Sequence, residues 1–268
     1  INDIHHGEER VGSDGIIRKF SKQAIELLDK AVNDINKIDD IKFTLILGDL
    51  IESKDSSTDL KNLEFVKTRI EHSLHSNIYY CVGNHEQRKL SQNEVRKTLD
   101  LNKEYYSFDI ENFHFIVLYS IEVPKTNNGE DGYTYIDDEQ VKWLEKDLQH
   151  TNKKTIIFVH HSLSDQNLKN NHYFEGKEHH CLIQNREENR KIIEQSQKVI
   201  CIFNSHIHWN NIHYHQDIPH VTLQSLVENE DNKGIPARAY TIVTIKNNGI
   251  NVDIKGRYPL KHSFEINS

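Results

Sequence analysis

Eighteen of the 268 residues are histidine, and several of them stand beside carboxylates or amides in five short blocks. The blocks are Asp3-Ile4-His5, Gly48-Asp49, Gly83-Asn84-His85-Glu86, His160-His161 and His206-Ile207-His208. Taken singly, each has an ordinary explanation: a Gly-Asp turn is common, and one histidine at a strand end is more often a surface residue than a ligand. Together they set two Asp, one Asn and at least four His where five successive strands end. That mixture of oxygen and nitrogen donors exceeds what one four-coordinate zinc takes. It suits two ions sharing a carboxylate, ~3.5–4 Å apart, which clamp the attacking and leaving oxygens of a phosphoryl displacement. Imidazole among the donors favours manganese, iron or zinc over magnesium or calcium.

The elements that must position these blocks alternate along the chain. Ala24, Leu27, Leu28, Ala31, Val32, Ile35 and Ile38 recur at helical spacing, which predicts an amphipathic helix over about residues 19–38. Phe43–Leu47 is a short apolar run closed by Gly48 and reads as a buried strand. Helical periodicity returns at 59–74, and Ile78–Val82 forms the next strand before Gly83. Tyr105–Ile110 and Phe113–Tyr119 flank a Glu111-Asn112 turn, as in a hairpin. A helix over 138–150 opens on Asp137 and Asp138 as caps. Thr155–Val159 and Val199–Phe203 are two further apolar strands, with a weak helix at 187–197 between them. Residues 162–186 show no element. The tail predicts antiparallel strands at Val221–Leu226, Ala239–Lys246 and Ile250–Ile254, with an Asn247-Asn248-Gly249 turn.

This order predicts one α/β domain over residues 1–268, built on a mixed sheet or two packed sheets. The carboxyl ends of such strands share one rim, where the five blocks converge. A strand that should precede Asp3 is missing and the chain holds no methionine. Asp3 and His5 are therefore expected on a frayed end, with further residues upstream of Ile1.

Composition narrows the class. Lys+Arg 33 against Asp+Glu 41 gives a net charge of −8, which disfavours a nuclease or other nucleic-acid binder. No run reaches the ~18 apolar residues of a membrane span, so no membrane partner is expected. Cys81, Cys181 and Cys201 are few and odd in number, and two lie in apolar runs. That pattern favours a reducing, cytoplasmic location over a disulfide framework.

In their order, Asp3-x-His5, Gly48-Asp49, Gly83-Asn84-His85-Glu86, His160 and His206-x-His208 resemble the calcineurin-like metallophosphoesterases across residues 3–208. The Tyr105–Asp109 and Trp143–Leu148 segments are similar to the bacterial branch that holds cyclic-nucleotide and glycerophosphodiester phosphodiesterases. The resemblance implies a four-layer αββα sandwich, two mixed sheets flanked by helices, with the metal site at the C-terminal ends of strands. It implies that Asp3, His5, Asp49 and His208 hold a first transition-metal ion. Asp49, Asn84, His160 and His206 would hold a second, with Asp49 bridging. His85 would be the uncoordinated catalytic histidine, stabilising the transition state or protonating the leaving oxygen. Substrate contacts fall to Asn84, to His161, which lines the site rather than ligating, and to Arg10 in the loop after the first block. Glu52 reads as a solvated loop carboxylate rather than as an orienter of His85.

The implied reaction is hydrolysis of a small-molecule or nucleotide phosphodiester by a metal-bridging hydroxide, with no covalent phosphoenzyme. A phosphomonoesterase or nucleotide pyrophosphatase is the alternative within this class. A non-catalytic interaction scaffold is the alternative outside it, and the filled ligand positions speak against that. One departure stands out: Ser205 replaces the usual Gly before His-x-His, so it must keep an ordinary backbone conformation or bond the turn. Residues 162–186, with His172, Tyr173, Phe174, His179 and His180, read equally as a lid or wall and as a mobile polar loop. His213, His215 and His220 are expected on nearby turns.

Overall fold

The computed structural model describes residues 1–128 and 131–266. Its first half comprises α1 (Ala24–Ile35), β1 (Phe43–Leu47), α2 (Ser56–Ser73), β2 (Asn77–Cys81), α3 (Asn84–Gln87), α4 (Gln92–Leu99), β3 (Tyr106–Ile110) and β4 (Phe113–Leu118). There follow β5 (Ile121–Val123), β6 (Tyr133–Tyr135), α5 (Asp138–His150), β7 (Lys154–Val159), α6 (Arg186–Ser196) and β8 (Val199–Asn204). The chain ends through β9 (Asn211–His215), β10 (Ile218–Thr222), β11 (Tyr240–Lys246), β12 (Gly249–Lys255) and β13 (Leu260–Glu265).

Six strands form one sheet in the order β3-β4-β7-β8-β10-β9. Its four central strands run parallel, and β3 and β9 close the edges antiparallel. The second sheet layer combines the parallel pair β1-β2 with the antiparallel β11-β12-β13. Period-two alternation along the strands sorts their side chains between cores. Phe115, Val117, Phe158 and Phe203 meet Leu47, Cys81, Val252 and Ile254 between the two layers. Ile116, Leu118, Ile157 and Ile202 point the other way, onto Val141, Leu144 and Ile193 of α5 and α6. On the far side, α1, α2 and α4 bury Leu28, Leu63 and Val95 with Ile46 and Tyr80 of β1 and β2. Helix, sheet, sheet, helix is the expected four-layer order.

The amino-terminal segment departs from expectation, because it is not frayed. Leu47 donates its N–H to the Ile1 carbonyl (2.9 Å), and Asp3, His5 and His6 donate to the carbonyls of Gly48, Asp49 and Leu50 (3.1, 2.9 and 2.9 Å). On the opposite side Leu226 donates to the Asn2 carbonyl at 3.3 Å. Residues 1–6 are thus an inner rung between β1 with the turn after it and residues 223–226, and Asn2, Asp3 and Ile4 are fully buried.

Other differences have local causes. α2 starts at Ser56 because the Asp55 carboxylate caps it, accepting from the Thr58 N–H at 2.9 Å. α4, which periodicity misses, is short and set by a Ser91–Glu94 capping box. β10 leaves the sheet after Thr222, so the expected strand over Val221–Leu226 lies further upstream and pairs parallel with β8. β9 is a histidine-bearing edge strand without an apolar run, and it places His213 and His215 on a strand, as β10 does His220, rather than on turns. Cys81, Cys181 and Cys201 are buried and unpaired. Among the described residues no helix is long and apolar enough to cross a membrane.

His114 on β4 joins the β3–β4 hairpin to α5: Nδ1 meets Asp109 Oδ1 at 2.7 Å and Nε2 meets Asp147 Oδ2 at 2.8 Å. Burial alone would lower its pKa, but Asp147 and Asp109 outweigh burial and raise it. A histidine raised in the folded state contributes stability below its unfolded pKa of ~6.5 and loses it as pH climbs through the folded value. His114→Asn should therefore depress the thermal midpoint more at about pH 6 than at about pH 9. Equal losses at both would show that the imidazolium does not carry the clamp.

Candidate metal centre

β1 and β2 run side by side and end at Gly48-Asp49 and Gly83-Asn84. A Cβ on Gly48, whose φ is 85°, would stand 2.5 Å from His160 Nδ1, and one on Gly83 would stand 2.2 Å from Asp49 Oδ1. Close approach therefore reserves both positions for glycine. β7 delivers His160 and His161, β8 delivers His206 and His208 through Ser205, and the amino-terminal rung delivers Asp3 and His5. Ile4 and Ile207 are fully buried between their flanking ligands, which sets each polar pair to one side. Asp3, His5, Asp49, His206 and His208 take φ of 48, 47, 53, 64 and 62°. Left-handed backbone at non-glycine residues costs on the order of 1 kcal/mol or more each, and it gathers here on the candidate ligands.

Two donor sets result. In the first, His5 Nε2 and His208 Nε2 are 3.1 Å apart, Asp3 Oδ1 lies 3.5 Å from His208 Nε2, and Asp49 Oδ2 lies 3.6 Å from His5 Nε2. In the second, His160 Nε2 is 3.1 Å from Asn84 Oδ1 and 3.2 Å from both His206 Nδ1 and Asp49 Oδ2. Asp49 belongs to both. Its Oδ1 accepts from the His85 N–H at 2.9 Å, while Oδ2 is buried with no hydrogen-bond partner among the described residues. An orphaned carboxylate oxygen amid converging ring nitrogens fits a cation on either side of it. All seven residues predicted as ligands are brought together. His161 is buried beside His160 and His206, and its Nε2 has no partner among the described residues. Arg10 joins neither donor set but lines the cavity above them, its side chain mostly exposed and 3.5 Å from Glu52.

Charge is divided among these groups. Burial pushes the Asp49 carboxyl up, but His160, His85 and His5 outweigh it and hold it well below the usual range. Asp3 is likewise held low by His208 against burial. Burial lowers His160 and His208, yet Asp49 lifts the first and Asp3 the second, each to about 9. Burial drives His206 and His161 well down, so they stay neutral donors. Metal binding displaces the protons held by the remaining imidazoles.

Carboxylates that sequence reasoning missed hold the ligands from behind. Glu52 is buried rather than solvated: its Oε2 is 3.1 Å from His5 Nδ1 and also bonds the Lys19 ammonium. Glu228 Oε2 meets His208 Nδ1 at 2.6 Å, and the same carboxylate takes His172 and the Tyr173 hydroxyl. His208 Nδ1 is engaged in this way, whereas His5 Nδ1 faces Glu52 without a hydrogen bond among the described residues; both rings turn Nε2 to the centre. His160 Nδ1 does the same on the Leu47 carbonyl (3.0 Å), which Ser205 Oγ also reaches (2.7 Å). Ser205 thus bonds the turn in an ordinary backbone conformation. Glu86 gathers the N–H groups of Asp49, Leu50 and Gly83 at 3.1, 2.7 and 2.8 Å. Burial, then Asp49, raises its carboxyl to about 7. A further cluster, His5-Glu52-His85, has the Lys19 ammonium on Glu52 and the Ser53 N–H on His85 Nδ1.

The rim opens into a cavity of about 770 Å³. Residues 162–186 form one wall rather than a loose loop. His180 presents its carbonyl to His206 Nε2 at 3.2 Å, the Phe174 ring lies 4.9 Å from that of His206, and Leu168, Cys181 and Leu182 are buried with Ile207. Gly83→Ala should weaken manganese binding about tenfold or more, because the added methyl displaces Asp49. Calorimetric titration giving wild-type affinity would show that this close approach does not set the site.

A model of the family described as calcineurin-like phosphoesterase matches residues 1–210. No curated protein sequence matches the chain. Among solved structures, a dimetal phosphatase from Danio rerio superposes with a TM-score of 0.78 at 16% identity, covering 100% of this chain and 98% of the other. A 5'-nucleotidase, named as putative, from Staphylococcus aureus gives 0.52 at 11% identity, covering 100% of this chain and 54% of that one. At such identities the superpositions show a shared fold. The family match over the ligand-bearing segments, together with the two converged donor sets, leads to one assignment: the chain belongs to the calcineurin-like phosphoesterases, a family of metal-dependent phosphoester hydrolases.

Proposed function

We propose that this protein is a two-metal phosphodiesterase acting on a small-molecule or nucleotide phosphodiester. One observation carries the reading: the donor sets lie at the floor of a cavity of about 770 Å³, a size that encloses a whole small ligand. Two separate segments wall it. Residues 10–19 stand beside the first donor set, through Lys19 on Glu52, and residues 173–180 reach both sets, through Tyr173 on the Glu228 behind His208 and the His180 carbonyl on His206. A diester carries a substituent for each wall, and a monoester for one only.

Asp3, His5, Asp49 and His208 hold the first ion in this reading, and Asp49, Asn84, His160 and His206 the second. The mixed donors suit manganese, iron or zinc. When bound, the ions supply Lewis acidity and a nucleophilic water near neutral pH. His85 stands free of both sets, with Nε2 3.9 Å from Asp49 Oδ2, and stabilises the transition state or protonates the leaving oxygen. Asn84, the unpartnered Nε2 of His161 and Arg10 contact the substrate. Arg10, Lys125 and Lys177 on the cavity wall favour a second reading, a nucleotide pyrophosphatase whose substrate carries more than one phosphate. The net charge of −8 supports a small-molecule partner over nucleic acid. Unpaired cysteines support a reducing, cytoplasmic setting, and residues 1–268 read as one domain.

Manganese-loaded protein should turn over bis(4-nitrophenyl) phosphate faster than 4-nitrophenyl phosphate. Faster monoester turnover would overturn the diester reading, and preference for a nucleoside diphosphate ester would select the pyrophosphatase. Asn84→Ala and His85→Ala should each lower kcat by about 10²–10⁴. Undiminished turnover in both variants would remove the roles given to them.

A further inference from the structure

We propose that Arg88 and His85 together form a slot for an anionic phosphoryl oxygen, which makes Arg88 a catalytic residue and Glu122 the group that positions it. The inference deepens the phosphoesterase reading and rests on it.

Arg88 follows α3 directly. Its Nε and Nη2 donate to Glu122 Oε2 and Oε1, both at 2.8 Å. This fork fixes the plane of the guanidinium and leaves Nη1, whose one partner among the described residues is His85 Nε2 at 3.1 Å. The His85 ring cannot accept there. A neutral imidazole accepts at one ring nitrogen only, and the backbone N–H of Ser53, which cannot turn away, takes Nδ1 at 3.2 Å, which assigns the ring proton to Nε2. A guanidinium has donors only. Two N–H groups therefore face each other across 3.1 Å with no acceptor between them.

Such a contact is unfavourable until a negatively charged oxygen enters and takes both hydrogen bonds. Both residues line the cavity, and His85 Nε2 is 3.9 Å from Asp49 Oδ2, so the slot adjoins the donor sets. Donors fixed in advance where charge develops are what electrostatic stabilisation of a transition state requires. Arg88 transfers no proton: it only donates hydrogen bonds.

Glu122 has a second task. Its Oε1 also accepts from Asn84 Nδ2 at 3.3 Å, which turns Asn84 Oδ1 towards His160. Its own N–H donates to Gln87 Oε1 at 3.2 Å, tying β5 to α3. One carboxylate therefore orients a candidate metal ligand and the guanidinium.

The test compares manganese-loaded wild type, Arg88→Ala, Arg88→Lys and Glu122→Gln by kcat on the diester, Kd for inorganic phosphate and manganese content. Arg88→Ala is expected to lose about 10²–10³ in kcat and to bind phosphate more weakly, at unchanged manganese content, with partial rescue by added guanidinium. Arg88→Lys, a point charge without the fork, should recover only part of the loss. Glu122→Gln should lower phosphate affinity and manganese content together. Wild-type kcat and phosphate affinity in Arg88→Ala would overturn the proposal. If wild type hydrolyses no phosphoester, the phosphoesterase reading fails, and phosphate affinity in the same variants still decides the slot.

Discussion

The Asp49 carboxylate lies where the two donor sets meet, and it can lie there only because the strands bearing it and Asn84 close on each other at two glycines. Gly48 gives room to His160, and Gly83 gives room to Asp49 itself. Glu86 then collects the N–H groups that the turning chain leaves unpaired. Left-handed backbone at five candidate ligands is tolerable because every neighbour in this region is held by a hydrogen bond or by packing. The centre is a property of the junction, not of any one loop.

Around that junction the far nitrogen of each first-set imidazole faces a buried carboxylate. Glu52 pairs with His5 through charge, Glu228 hydrogen-bonds His208, and a backbone carbonyl holds His160. The same carboxylates reach outward to Lys19 and to Tyr173, which belong to the cavity walls. Ligand orientation and wall position are therefore parts of one bonded network, and a disturbance of the wall is felt at the imidazoles.

Much of this was legible in the sequence, for a physical reason. A buried parallel strand is a short apolar run, and the residue types that follow it are written consecutively, so Gly48-Asp49, Gly83-Asn84-His85 and His206-Ile207-His208 announce themselves. Glu52, Glu122 and Glu228 do not, because in a chain with 28% charged residues a glutamate reads as solvated until tertiary packing buries it. The amino-terminal rung is misread for the same reason: its partners are β1 and residues 223–226, and only the folded chain supplies them. Strand β9 was missed because an edge strand of polar and histidine residues carries no apolar signal.

The first donor set joins segments at opposite ends of the ligand-bearing chain: His5 and His208 touch across 203 residues. An ion held there acts as a clasp on a very long loop, and loop-closure entropy grows with length. Whatever binds only the folded form also stabilises it by mass action. Chemistry and cohesion thus share one fastening: a chelator that strips the ions would loosen the whole polypeptide as well as silence it.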